Sequence, residues 1–119
     1  MILIVDDDED VRATIKHLLD MLAYDSSEAE DGPTALAMVR AAKPDVVILD
    51  YSMPGMTGAE VASAIGQIDP DIPIIFASGY AEEGKLRHIL GGDWPILHKP
   101  FQIAELAELV SQALEQGRG

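Results

Sequence analysis

Short runs of aliphatic and β-branched residues punctuate the chain at Ile2 to Val5, Val46 to Leu49 and Ile72 to Ala77. Each is too short for a helix, is flanked by Asp or Pro, and is apolar throughout rather than at alternate positions. That is the pattern of a strand buried on both faces of a parallel sheet. Between these runs the spacing becomes helical. Val11, Ile15, Leu18, Leu19 and Leu22 share one face, as do Ala35, Leu36, Val39 and Ala42, and later Ile103, Leu106, Leu109, Val110 and Leu114. A further helix is predicted from Gly58 through Val61, Ala64 and Ile65 to Ile68, and a short polar one over Ala81 to Leu90, stopped by Gly91-Gly92. Two weaker strands, around Tyr24 to Ala29 and Trp94 to His98, complete an alternation of five strands and five helices. The expected architecture is an α/β, doubly wound, five-stranded parallel sheet, (βα)5, layered between helices with right-handed crossovers. Its functional site should lie in the loops beyond the carboxyl ends of the strands.

Composition sharpens this picture. A chain of 119 residues holds one core, predicted as a single domain over 1–116 with 117–119 as a tail or the start of a linker. With 48% hydrophobic against 24% charged residues there is ample material for that core, which excludes a disordered chain. Eight Lys and Arg against 21 Asp and Glu give a net charge of -13, which repels a phosphate backbone and argues against direct nucleic-acid binding. No apolar run approaches the roughly 18 to 20 residues of a membrane span, and the first residues lack the features of a secretory leader, so a cytoplasmic location is expected. The absence of cysteine removes disulfides, thiolate nucleophiles and thiolate metal ligands, so any cation must be held by oxygen or histidine.

The residues that follow each predicted strand carry the chemistry. The first strand runs into Asp6-Asp7-Asp8, the third into Asp50, the fourth into Ser78 and the fifth into Lys99-Pro100. Carboxylates brought together at one sheet edge repel one another unless a hard cation lies between them, and Mg²⁺ is bound by such oxygens. A lysine and a hydroxyl on the same edge suit phosphoryl oxygens. Singly, these residues have plainer readings: Lys99 a surface lysine, Ser78 a turn residue, and Asp8, Glu9 and Asp10 the cap and acidic first turn of a helix. Convergence is what favours a site at Asp6, Asp7 and Asp50. His17 and His88 are expected to be exposed and His98 to lie near Lys99, without the paired spacing of a zinc site.

Taken together, Ile2-Leu3-Ile4-Val5-Asp6-Asp7-Asp8, Pro44 to Gly58 with Asp50 at its centre, and His98-Lys99-Pro100-Phe101 resemble the receiver domains of bacterial two-component response regulators, the CheY-like domains of flavodoxin-like fold. The likeness spans essentially the whole chain. It implies that Asp50 is the phospho-acceptor and that Mg²⁺, with Mn²⁺ as an alternative, is held by Asp7 directly, by Asp6 mainly through water, by Asp50 and by the backbone carbonyl of Ser52. It further implies that Ser78 and Lys99 contact the phosphoryl group and that a cis peptide bond precedes Pro100. The implied donor is a sensor histidine kinase or histidine phosphotransfer protein, and the implied output is a downstream protein partner or an output domain, with homodimerisation left open. Such a domain is a signalling switch that catalyses only its own phosphorylation and dephosphorylation.

The chain departs from the family in one respect. Many receivers carry Tyr or Phe two or three residues before the lysine, where this chain has Ile96 and Leu97. The segment Phe76-Ala77-Ser78-Gly79-Tyr80 is instead similar to a Phe-Ala-Thr-Gly-Tyr variant of some receivers, in which Gly79 gives the loop freedom and Tyr80 offers an aromatic ring from another position. Competing functions fare worse. An aspartyl-nucleophile, Mg²⁺-dependent phosphatase of the haloacid dehalogenase type wants a general acid two residues after the nucleophile, where Ser52 stands. A flavin site wants a phosphate cradle after the first strand, where three acids stand. A protein-interaction module that is never phosphorylated leaves the intact acid, hydroxyl and lysine set without a use.

Overall fold

The computed structural model describes residues 1–79, 84, 88 and 94–116. Five parallel strands, β1 (Ile2–Val5), β2 (Ser26–Ala29), β3 (Val46–Asp50), β4 (Ile74–Gly79) and β5 (Ile96–Lys99), form one sheet in the order β2-β1-β3-β4-β5. Among the described residues there are four helices, α1 (Glu9–Met21), α2 (Gly32–Ala41), α3 (Gly58–Ile68) and α4 (Ile103–Gln116). Of the helix expected over Ala81 to Leu90 only Gly84 and His88 are described, both helical, and its other residues, the Gly91-Gly92 stop and the tail at 117–119 lie outside the described residues.

Full burial of β1, β3 and β4 as far as Ser78 explains their long apolar sequences, whereas the edge strand β2 is Ser26-Ser27-Glu28-Ala29 with only Ala29 buried. Leu3, Val5, Val47, Leu49, Phe76 and Ile96 pack on one face with Leu36 and Val39 of α2 and Val61 and Ile65 of α3. Ile2, Ile4, Ile48, Ile75 and Leu97 pack on the other with Ile15 and Leu19 of α1 and Leu106 and Val110 of α4. Successive strand residues thus feed opposite cores.

Helix starts follow their caps. Asp8 accepts from the amides of Asp10 and Val11, Asp31 accepts from that of Thr34, and Thr57 with Glu60 forms a reciprocal capping box at α3.

The boundaries correct several expectations. Helix α1 closes in a Schellman motif: the Ala23 amide donates to Asp20, the Tyr24 amide to Leu19, and Ala23 sits at a φ of 64°. Tyr24 is therefore spent on ending the helix, the Asp25 carbonyl accepts from the Ile2 amide of β1, and β2 begins at Ser26 rather than Tyr24. Helix α2 ends at Ala41, so Ala42 is an extended, exposed cap residue instead of part of the apolar face. Strand β4 begins at Ile74, just beyond Pro73, and runs two residues past Ala77. Its buried positions continue through Ser78, whose hydroxyl donates to the Gly79 carbonyl at 3.1 Å. In the same way β5 spans Ile96–Lys99, starting two residues later than expected and carrying Lys99 on the strand.

Candidate functional site

Parallel pairing places the ends of β1, β3, β4 and β5 along one sheet edge, with Val5 opposite Leu49, Asp50 opposite Ala77 and Gly79 opposite Lys99. Asp50 is the last residue of β3 and is 3% exposed, Asp6 directly follows β1 and is 2% exposed, and Asp7 is exposed. One carboxylate oxygen from each of Asp6, Asp7 and Asp50 lies within 4.8 Å of the others. Lys99 approaches from β5, its Nζ 3.2 Å from Asp50 Oδ1.

This packing of like charges has electrostatic consequences. Burial, and then the neighbouring Asp6 carboxylate, push the Asp50 carboxyl up to about 6, although Lys99 and a backbone hydrogen bond from Ser52 oppose the shift. Asp6 is also raised, mainly by burial, against the Asp8 amide and Lys99, which favour its charged form. Asp6 Oδ1 accepts from the Asp8 amide at 2.9 Å, while Oδ2 is buried with no hydrogen-bond partner among the described residues. An unpartnered buried carboxylate oxygen facing a second buried carboxylate and an exposed third fits a hard, oxygen-bound cation.

The loop after β3 is shaped by Gly58. A Cβ there would lie 2.7 Å from the Asp50 carbonyl oxygen and 2.7 Å from the Tyr51 Cα, so only glycine lets the start of α3 sit against the end of β3. The Gly58 amide donates to the Tyr51 carbonyl at 2.8 Å and Gly55 takes a φ of 87°, which together fold Ser52 to Thr57 back over the strand end. Ser52 is exposed on that loop.

The other expected site residues are distributed unevenly. Ser78 is fully buried with its hydroxyl turned to the Gly79 carbonyl. Gly79 ends β4, the Lys99-Pro100 peptide is cis, and Tyr80 lies outside the described residues. His17 and His88 are exposed. His98 is half-buried, and Glu105 of α4 accepts from its backbone amide at 2.7 Å and faces its Nδ1 at 3.2 Å.

Two contributors escaped the sequence reading. Arg12, on the first turns of α1, donates through Nη1 to the Asp6 carbonyl at 2.7 Å and through Nε to Glu28 at 3.3 Å, holding the backbone that bears the acidic pair. Glu105 passes in sequence for an ordinary first-turn acid. The only hint for Arg12 was a cation one helical turn beyond Asp8.

The fold and this edge match known proteins. The family model "Response regulator receiver domain" matches residues 2–111. The transcriptional regulatory protein PrrA of Mycobacterium leprae is 34% identical over 119 residues, covering 99% of this chain and 51% of the relative. Sporulation initiation phosphotransferase F of Bacillus subtilis is 32% identical over 114 residues, 95% of this chain and 92% of the relative. The crystal structure of the receiver domain of NtrX from Brucella abortus superposes with a TM-score of 0.87 at 29% identity, covering 97% of this chain and 98% of that one. The chain belongs to the response regulator receiver domains, the phosphorelay signalling modules of two-component systems. It spans about half the length of PrrA. Among the described residues no helix is long and apolar enough to cross a membrane.

Proposed function

We propose that Asp50 is the phospho-acceptor of this receiver and that its phosphorylation, with Mg²⁺ or Mn²⁺ as cofactor, switches how the domain engages a protein partner or an attached output domain. The observation that carries the reading is the meeting of the Asp6, Asp7 and Asp50 carboxylates within 4.8 Å, with Lys99 Nζ 3.2 Å from Asp50. Asp6, Asp7, Asp50 and the Ser52 carbonyl are the groups that would hold the cation, which supplies positive charge to the phosphoryl oxygens in transfer.

The remaining chemistry belongs to the chain. An Asp50 carboxylate oxygen forms the new O–P bond while the N–P bond of a donor phosphohistidine breaks, its electron pair returning to the imidazole nitrogen. The donor is a sensor histidine kinase or histidine phosphotransfer protein. Lys99, already beside Asp50, follows the phosphoryl oxygens as charge builds on them. Ser78 joins them once its hydroxyl leaves the Gly79 carbonyl, a rotation about one side-chain bond that supports its role as the moving part of the switch. Attack of water at phosphorus breaks the Asp50 O–P bond, restores the carboxylate and releases inorganic phosphate, which ends the signal, so self-phosphorylation and self-dephosphorylation are the only reactions assigned to the domain, and its place is the cytoplasm.

Intact-protein mass after incubation with acetyl phosphate and Mg²⁺ tests the proposal. One phosphoryl adduct is expected, absent in Asp50→Ala and absent with EDTA. An adduct that survives in Asp50→Ala overturns the assignment, and no adduct from either acetyl phosphate or a phosphohistidine donor favours an unphosphorylated interaction module.

A further inference from the structure

We propose that Glu105 is a positioning residue for Lys99: by clamping the end of β5 to the first turn of α4, it fixes the root of the lysine that must meet the phosphoryl group. The inference rests on the reading of Lys99 given above.

The clamp arises from sheet topology. Strand β5 is one of the sheet's two edge strands, paired only with β4, so amides on its outer side have no neighbouring strand to bond. The His98 amide is one of these, and it donates to Glu105 Oε1 at 2.7 Å, a short bond to a charged acceptor. The same oxygen lies 3.2 Å from His98 Nδ1, so the half-buried ring steadies the carboxylate that receives the amide. The two ends of the segment from His98 to Glu105 are thereby tied together, and Lys99 is the first residue inside the tie. On its far side the Leu106 amide donates to the Gln102 carbonyl, anchoring the helix start from which Glu105 projects.

A long lysine needs such a root. Its side chain is about one-third exposed, and beyond the Asp50 contact it has several freely rotating bonds. A small displacement of its Cα is enough to change how often Nζ reaches the reacting oxygens, and misplacements near 1 Å can cost up to about a hundredfold in rate. Glu105 touches neither Asp6, Asp7 nor Asp50 in any hydrogen bond among the described residues, so its influence should pass through β5 and spare the acidic cluster.

The test is a double-mutant cycle on Lys99 and Glu105, read as the rate of adduct formation from acetyl phosphate, with Mg²⁺ affinity measured in parallel by calorimetry. Glu105→Ala is expected to slow phosphorylation by about fivefold to tenfold while Mg²⁺ affinity stays within about twofold. Glu105→Gln, whose amide oxygen can still accept from the His98 N–H, is expected to restore most of the rate. Lys99→Ala with Glu105→Ala should be no slower than Lys99→Ala alone, because an effect exerted through Lys99 vanishes with it. Full additivity, a wild-type rate in Glu105→Ala, or a Gln variant as slow as the Ala variant overturns the proposal. Asp50→Ala and Lys99→Ala alone keep the two readings apart. Loss of the adduct in the first and slowing in the second establish the site independently of Glu105. A Lys99→Ala variant at wild-type rate removes the role of Lys99, and the positioning proposal with it.

Discussion

Replacing the charge at Asp50 should stabilise the metal-free domain, and the gain should depend on pH. Asp50 is 3% exposed, and its carboxyl is raised from 3.8 to about 6 by burial and by Asp6. A shift of about two units corresponds to about 3 kcal/mol of preference for the protonated form in the folded state. The folded chain therefore holds its Asp50 proton more tightly than the unfolded chain. Stability falls as pH rises from 3.8 through about 6, and above that the whole penalty is present. Asp50→Asn keeps the shape and removes the charge, but its amide must also be desolvated, so the net gain at pH 7.5 should be about 2 kcal/mol.

Urea unfolding in EDTA, followed by the fluorescence of Trp94, measures this directly, since the Trp94 ring packs edge-on against Phe76 at 5.5 Å in the core. At pH 5, between the unfolded and folded titrations, the wild type has shed roughly half of its penalty, and with the amide cost unchanged the advantage of Asp50→Asn should shrink by about two-thirds. Excess Mg²⁺ at pH 7.5 should stabilise the wild type more than the variant, because it offsets a repulsion that the variant has already lost. A variant no more stable than wild type in EDTA, or one whose gain is the same at pH 5 and pH 7.5, would refute the claim that carboxylate burial and repulsion strain this site.

Gly58→Ala should lower stability by about 2 kcal/mol or more, because a Cβ 2.7 Å from backbone atoms of Asp50 and Tyr51 must push α3 off β3; thermal unfolding would show it, with slower acetyl-phosphate labelling from the displaced Asp50. Ala23→Gly should raise stability by about 0.5 kcal/mol, since glycine accepts the φ of 64° without strain while adding freedom to the unfolded chain, and labelling should not change. Arg12→Ala should weaken Mg²⁺ binding in calorimetry by about threefold to tenfold through the freed Asp6 carbonyl; unchanged affinity would make the Arg12 contact with that carbonyl irrelevant to the acidic pair.

The layered sheet was legible because buried parallel strands leave unbroken apolar runs that no surface element imitates. Its edges were less so. Ser78 and Lys99 read as residues beyond their strands because a polar side chain normally marks a strand end. In the fold, however, one hydroxyl is satisfied by the neighbouring carbonyl and one lysine by Asp50, so both remain within the ladder. The acidic cluster could be found from sequence since each member directly ends or follows an apolar strand. Arg12 and Glu105 could not, because both act on backbone atoms, an Asp6 carbonyl and a His98 amide, and a backbone group leaves no letter in the sequence to pair with.

Those two backbone contacts also explain how a site under repulsion can be held ready. Asp6, Asp7 and Asp50 are pressed together by strand register, and nothing in their own chemistry favours the arrangement without a cation. Arg12 fixes the carbonyl of the first acid from α1, Gly58 allows α3 to close behind Asp50, and Glu105 ties the strand that carries Lys99 to α4. The repulsion is thus borne by the scaffold rather than relieved by rearrangement. On the proposed function, a cation or phosphoryl group would meet these residues already in place, leaving its binding energy to act on the elements that move. On the proposed reading Ser78, whose hydroxyl donates to the neighbouring Gly79 carbonyl, is the residue that turns toward a phosphoryl group, and Gly79 follows it directly. On that reading the division is physical: the backbone beside Asp6 and Lys99 is braced, and the Ser78 hydroxyl turns.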